Sequence, residues 1–287
     1  PTTRNEKDCD SQDQIVHGLV LGCDFFTDIA LFRIKLDAKY KLPPGNYSTK
    51  VVLRTVCEAI KLSATRLLEI DQNELEVEYR PALTILGQSG REFEIFTYDT
   101  LPGGAGFSPM LIKFKMQLFK NALSILETCT SNCNSSCYKC LQSFKNKDEH
   151  NFLDRHAGKQ LLELLIYNEV RAMDETRLKN SYELLHSDLS RQVFGEANEP
   201  SYKKNVEIQD GGVSFTAPIL IDYNNRKFVV CLSSSLNEER PLETGIDDYM
   251  LTGSQNYEVI PVPEILVRKN LPSASKLTNN KIGFNPD

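Results

Sequence analysis

Tryptophan is absent from this chain, and methionine and histidine occur four times each. No apolar run reaches the roughly 18 residues that a membrane-spanning helix requires, so a helical span is excluded. Neither G-x-x-x-x-G-K-[ST] nor G-x-G-x-x-G occurs, so the phosphate cradle of an ATPase is missing. The chain alone should therefore not hydrolyse ATP. A basic excess is missing too: 33 Lys and Arg face 39 Asp and Glu, a net charge of −6. A domain that holds nucleic acid by charge alone is normally basic. Any such contact is then local, or is supplied by another part of a molecule. The polar stretch Pro1 to Gln14 lacks the charged-then-apolar form of a secretory leader. With Pro1 in place of Met, a processed chain or a piece of a longer one is expected, located in the cytoplasm.

Against these absences, the cysteines are concentrated. Of eight, four fall within the twelve residues 129-CTSNCNSSCYKC-140. Cys9, Cys23, Cys57 and Cys231 are scattered without pattern. Cys57 lies in an apolar helical pattern and Cys231 in FVVCL, and both are expected to behave as small buried hydrophobes. The cluster reads Cys129-x3-Cys133-x3-Cys137-x2-Cys140, and four thiolates complete a tetrahedral set around Zn²⁺ with Zn–S near about 2.3 Å. A full sulfur set leaves no position for water or substrate, so the site is structural. Asn132, Asn134, Ser135 and Ser136 suit tight turns and offer N–H groups to sulfur. An iron–sulfur cluster is the main rival, because Cys₄ also serves iron. A pair of disulfides, or four free thiols, are the remaining alternatives.

The chain around the cluster predicts an α+β fold. A small mixed or antiparallel sheet with packed helices and a Cys₄ zinc loop is followed by a smaller β-rich C-terminal region. Strand-like segments are expected within 15–37, at 74–80 and at 92–99. Helices are expected at 50–70 (capped by Ser48 or Thr49), from Ser108 to Thr128 (Ser108 as N-cap, Pro109 first), at 153–168 and at 174–193. Residues 211–235 read as a hairpin with Asn224-Asn225 in the turn, and 257–267 as a strand interrupted by Pro261 and Pro263. The expected organisation is a flexible segment 1–14, a zinc-binding domain 15–193, a linker 194–210, a β-rich subdomain 211–270 and a loose tail 271–287.

A second motif, YDTLPGGAGFSP at 98–109, leads from a strand into a helix. Gly103, Gly104 and Gly106 permit positive φ, and N–H groups at a helix start attract anions. A phosphate could sit there; the plainer reading is a tight turn pressed against other backbone.

Taken in order, YDTLPGGAGF, the amphipathic helix after it, the cluster ending SCYKCLQSF, and NFLDRHAG resemble the MrfA-type zinc-binding domain. That domain occurs at the C-terminal end of superfamily-two DNA helicases and in anti-phage proteins of the DISARM and Druantia systems. FFTDIALFRIKL resembles the family's TD strand. The likeness spans roughly residues 15–170, and 195–287 resemble no family named here. It implies ligand roles for Cys129, Cys133, Cys137 and Cys140, although the spacing of the first pair departs from the commonest form. It further implies a non-catalytic, DNA-associated module beside a helicase engine. Its partners would be motor domains in the same chain or another, DNA, and other defence-system subunits.

Several residues carry a sharper and a plainer reading. Lys113, Lys115, Lys120, Lys139, Lys145 and Lys147 form a local basic excess: a solvated face, or contacts to a DNA backbone. Tyr138 and Phe144 stack on bases or merely pack. Arg155 pairs with Asp99, meets a phosphate, or serves structure. Asp154 is expected as a helix cap, and His156 as a capping or packing residue; His150 is a remote alternate ligand. Asp28 and Asp99 would suit Mg²⁺ in a nuclease, but no partner motif accompanies them. Asp148-Glu149-His150 imitates a helicase box by coincidence. Two functions follow: a zinc-stabilised accessory module of a DNA helicase in phage defence or DNA repair, or an assembly module that docks a protein and touches no DNA.

Overall fold

Period-two alternation builds the first sheet. The computed structural model describes residues 22, 24–82, 90–196 and 198–286, so the expected segment 1–14, the stretch from Ile15 to Leu21, Cys9 and Cys23 lie outside the described residues. β1 (Ile29–Lys35), β2 (Leu75–Pro81) and β3 (Glu92–Asp99) form an antiparallel sheet in the order β1-β3-β2. Phe93, Ile95 and Thr97 face inward with Ala30, Ile34, Leu75 and Val77, all buried.

That inner face is covered by α1 (Tyr47–Leu68). Its buried residues run nearly all round the helix and include Arg54, Glu58 and Lys61 beside Val56, Cys57 and Ile60. Buried charge is costly unless paired, and here it is paired. Arg54 reaches Glu58 at 2.7 Å, Glu149 at 2.8 Å and Glu78 at 3.0 Å, and Lys61 reaches Glu76 at 2.6 Å. The helix starts earlier than its apolar pattern indicates. Asn46 precedes it without a side-chain cap bond, and Ser48 and Thr49, expected as caps, are buried in its first turn.

The helix expected from Ser108 to Thr128 is two helices. α2 (Phe107–Leu111) runs into a 3₁₀ turn at Ile112–Phe114, and α3 (Met116–Glu127) follows a break at Lys115, whose φ is 48°. No glycine or proline marks the break; Leu111 and Leu118 on either side of it are both fully buried. α4 (Arg155–Tyr167) begins at Asp154, whose side chain accepts from His156 N and Ala157 N as a cap should. Gly158 brings α4 against α1: a Cβ there would lie 2.5 Å from Thr55 Cγ2. Helices α1, α3 and α4 and the sheet enclose one hydrophobic core.

A second sheet organises the C-terminal part. After α5 (Glu175–Ser190) come β4 (Ser201–Asp210), β5 (Val213–Tyr223), β6 (Arg226–Ser234), β7 (Asn237–Pro241), α6 (Thr244–Thr252), β8 (Glu258–Pro263), α7 (Glu264–Lys269) and α8 (Leu271–Ile282). Strands β4 to β7 pair antiparallel in chain order, and β8 joins β6 in parallel. The hairpin turn is as expected, with Asn224 at φ 50° and Asn225 at φ 58°, the conformation of a type I′ turn. Alternation along β5 and β6 feeds two cores. Ile219, Ile221, Phe228 and Val230 face α5, α7 and α8, while Leu220, Val229 and Cys231 share the other core with Ile246 and Tyr249 of α6.

Three expectations are corrected here. Residues 201–210, placed in a linker, are strand β4; Lys203, Lys204 and Asn205 disguise it, since only Ile208 is buried. The loose tail contains α8, capped by the Asn270 side chain. Apart from Ile282, its buried residues Ala274, Ser275, Thr278 and Asn279 are small or polar, so its apolar period is weak. Helix α5, assigned to the zinc-binding domain, buries Leu185 and Leu189 in the C-terminal core. Among the described residues no helix is long and apolar enough to cross a membrane.

Candidate metal centre

The cysteine loop joins the end of α3 to the start of α4. Thr128 Oγ1 donates to Ser124 O at 2.7 Å and closes α3. Asn132 then takes a left-handed φ of 42°, and its N–H returns to Cys129 O at 2.9 Å. A second turn follows, in which the N–H groups of Cys140, Leu141 and Gln142 all donate to Cys137 O. Cys137 N donates to Cys140 Sγ at 3.2 Å.

These two turns converge the sulfurs. Cys129 Sγ lies 3.6 Å from both Cys133 Sγ and Cys137 Sγ, and Cys140 Sγ lies 3.7 Å from Cys133 Sγ and Cys137 Sγ. All four lie within 4.8 Å of one another. A tetrahedron with Zn–S of about 2.3 Å has sulfurs about 3.8 Å apart, so the spacing fits one zinc ion. It is far longer than the roughly 2.05 Å of a disulfide, and the cysteines are free. It is also too tight to surround a cluster of several iron atoms. The donor set and its spacing fit structural zinc. Hydrogen bonding, first from the Cys133 N–H, draws the Cys129 thiol down to about 6. Burial pushes the Cys133 thiol up. Metal binding replaces these protons.

Two arginines fix the loop from outside. Arg155, buried, donates from Nε to Cys133 O at 2.9 Å, from Nη1 to Leu126 O at 3.0 Å, and from Nη2 to Asn132 Oδ1 at 3.0 Å. Its main-chain N–H donates to Ser135 O at 2.8 Å. Arg155 neither pairs with Asp99 nor presents its guanidinium to a phosphate; burial and these acceptors commit it to the loop. Arg177 Nη1 donates to Asn134 O at 2.8 Å while its other nitrogens reach Glu264 at 2.9 Å and Asp154 at 3.3 Å. Asp154 and Glu264 are almost completely buried. Arg177 carries no local signal in the sequence, whereas Asp154-Arg155 directly follows the loop and is legible there. His156 belongs to no ligand set among the described residues, and burial, then the Arg177 charge, lower its pKa to about 4. His150 Nε2 meets Ser143 O and Asn146 Oδ1 inside the loop. Asp148-Glu149-His150 lies in a 3₁₀ segment, where Glu149 serves Arg54.

The glycine-rich turn is already filled by carboxylates. Gly103 N donates to Phe26 O, Gly104 N to Leu101 O, and Gly106 N to Asp28 Oδ2 at 2.9 Å. Ala105 N and Phe107 N donate to Asp99 Oδ2 at 2.8 and 3.0 Å, and Ser108 N to Asp99 Oδ1 at 2.8 Å. Every N–H from 103 to 108 has an internal acceptor, so the phosphate reading of Gly103, Gly104 and Gly106 is corrected: the turn carries its own anions. Gly104 (φ 78°) is obligatory, since a Cβ would fall 2.2 Å from Asp28 Oδ2. Burial raises the Asp99 carboxyl, and the bonds from Ser108, Ala105 and Phe107 outweigh it, holding the group below the usual carboxylate value. Asp28 and Asp99 are thus turn-builders rather than a Mg²⁺ pair.

On the outer side of the loop, Lys139, Lys145 and Lys147 are exposed, as are Lys113, Lys115 and Lys120. Tyr138 is 68% and Phe144 76% exposed.

Comparison with known proteins agrees with this centre. Residues 56–141 match the family described as the MrfA Zn-binding domain. The Druantia protein DruE of Escherichia coli (strain UMEA 4076-1) is 33% identical over 159 residues, which cover 52% of this chain and 8% of that protein. The chain therefore spans a small part of the curated relative it matches. Two solved structures are similar: the DUF1998 helicase MrfA bound to DNA, at 18% identity and a TM-score of 0.31, covering 42% of this chain and 14% of that one; and the same helicase bound to DNA and AMPPNP, at 15% identity and a TM-score of 0.32, covering 47% and 15%. Over residues 56–141, which include all four cysteines of the cluster, the chain is similar to the MrfA Zn-binding domain family.

Proposed function

We propose, on the premise that residues 56–141 constitute an MrfA-type zinc-binding domain, that this chain is a structural accessory module of a larger DNA helicase or translocase. Motor domains, in the same polypeptide or another, supply the ATP chemistry, and this module positions DNA or braces them. The observation that carries the reading is the closed four-sulfur cage. With no coordination position left open, its metal holds shape and activates no water. Kinship with a Druantia protein supports a setting in phage defence; DNA repair is the other setting for such a motor. The alternative, a protein-docking module without DNA contact, is supported by the net charge of −6 and by the exposed Phe25, Phe26, Ile29 and Leu31.

The test is a titration of a fluorescent single-stranded oligonucleotide at two salt concentrations, on protein whose zinc content has been measured. Charge-mediated binding weakens as salt rises. Absence of binding at low salt, with about one zinc per chain in place, leaves the docking reading.

A further inference from the structure

We infer that the zinc loop presents a base-stacking platform for single-stranded nucleic acid, formed by Phe144 and Tyr138. This deepens the DNA-positioning reading and rests on it. The two rings are the most exposed aromatic side chains of the loop, yet the backbone beneath them is tightly held. Tyr138 lies between the ligands Cys137 and Cys140, and its ring meets the His150 ring edge-on at 5.4 Å. His150 in turn is tied to Ser143 O, one residue before Phe144. Asn146, buried, accepts from Ser143 N at 2.8 Å and donates to Leu141 O at 2.9 Å. Leu141 is itself in the first hydrophobic core. Rings held out to solvent on a pinned backbone lose little freedom when a flat partner arrives.

The charges around the rings choose the partner. Lys139, Lys145 and Lys147 are exposed, and none pairs with a carboxylate among the described residues. Lys147 Nζ sits 5.0 Å over the Phe144 ring. On a chain of net charge −6, three ammonium groups without a carboxylate partner among the described residues, beside two largely exposed rings, complement a polyanion with exposed π-faces. Single-stranded nucleic acid has both features. A duplex buries its base faces, and stacking on aromatic side chains is how single strands are held without sequence preference. DNA and RNA share this chemistry.

Binding of the 287-residue chain to 15-nucleotide oligo-dT, oligo-rU, an abasic strand and a duplex, read by fluorescence anisotropy, tests the platform. Phe144→Ala and Tyr138→Ala are expected to weaken oligo-dT or oligo-rU binding by about 5- to 100-fold each. Zinc content and melting temperature should stay at wild-type values, since both side chains are exposed. Lys145→Glu should weaken all strands, the abasic one included. Preference for oligo-rU over oligo-dT would name RNA as the source and still support the platform. An unchanged Kd in the doubly substituted protein, beside salt-dependent binding by the wild type, overturns the platform and leaves the DNA-positioning reading intact. So does an equal loss on the abasic strand. Failure of the wild type to bind any strand at low salt overturns both.

Discussion

Asp99 does at residue scale what a phosphate at the glycine-rich turn would do. A fully buried carboxylate accepts three main-chain N–H groups at 2.8 to 3.0 Å, and a buried donor left without a partner costs about 1–3 kcal/mol. Asp99→Ala should therefore lower stability by roughly 3 kcal/mol, part of the loss being recovered by water. Asp99→Asn, which keeps one acceptor oxygen, should lose about half as much. Urea denaturation of the zinc-loaded proteins measures both; an Ala variant as stable as wild type would remove this account of the turn. Because the Asp99 carboxyl lies below its ordinary value of 3.8, its contribution is complete above that pH and drains only below it.

Another residue sets a different window. His156 titrates at about 4 against an ordinary 6.5. Between those values the unfolded chain binds a proton that the native state refuses, so stability falls as pH drops from about 6.5 towards 4. Comparing urea midpoints at pH 7.5 and 5.5 with zinc in excess should show a smaller difference in His156→Gln than in wild type. Equal differences would assign the acid limb to other groups.

At the scale of elements, the zinc loop replaces an absent hydrophobic core. Between Thr128 and Leu153 only Leu141 and Asn146 are buried, far too little to order 24 intervening residues by packing. Metal binding at such sites supplies on the order of 10 kcal/mol. Cys137→Ser should drop the metal-to-protein ratio from about one towards zero and raise amide exchange across 125–155; an unchanged ratio by atomic absorption rejects the cage. Arg155→Lys keeps the charge but cannot reach three acceptors on separate turns. Zinc affinity should fall by about 10- to 100-fold, as for other groups that orient ligands, when measured by competition with a chromophoric chelator.

The same elements show what can be read from a sequence. The four ligands were legible because chelation demands short spacing along the chain. β3 and the Asn224-Asn225 hairpin were legible because strand period and turn chemistry are local. The clamps were not: Arg177 is 44 residues from Cys133, and only the fold brings it to Asn134 O. The glycine turn misled for a related reason, since Asp28, which fills it, lies 78 residues before Gly106. α8 escaped because, Ile282 apart, the side chains it buries are small or polar, and β4 because Lys203, Lys204 and Asn205 interrupt a strand in which only Ile208 is buried.

On the scale of the whole molecule, Arg177 ties the zinc loop to the core beneath α5, beside Leu236 and Ile265, which pack into the first core. It stands on α5, whose leucines belong to the C-terminal core. It touches the zinc loop at Asn134, the cap of α4 at Asp154, and α7 at Glu264, which also accepts from Ser181 Oγ at 2.8 Å. Pairing with Asp154 and Glu264 outweighs the cost of burying the guanidinium and holds its pKa up. Removing one partner of such a network strands the others: Arg177→Met leaves two buried carboxylates without their cation, a loss of about 3–5 kcal/mol. The double change Arg177→Met with Glu264→Leu should restore part of it, because it removes one of the two stranded carboxylates and leaves only Asp154. The same contact predicts how the halves communicate. Stripping zinc from the wild type should raise hydrogen exchange in the loop and also in α5 and α7, since Asn134 O moves away from Arg177. In the double variant that spread should be confined to the loop and the start of α4. Exchange in α5 and α7 that ignores zinc in the wild type would show that the loop does not communicate through Arg177, which would then serve only to neutralise its carboxylates.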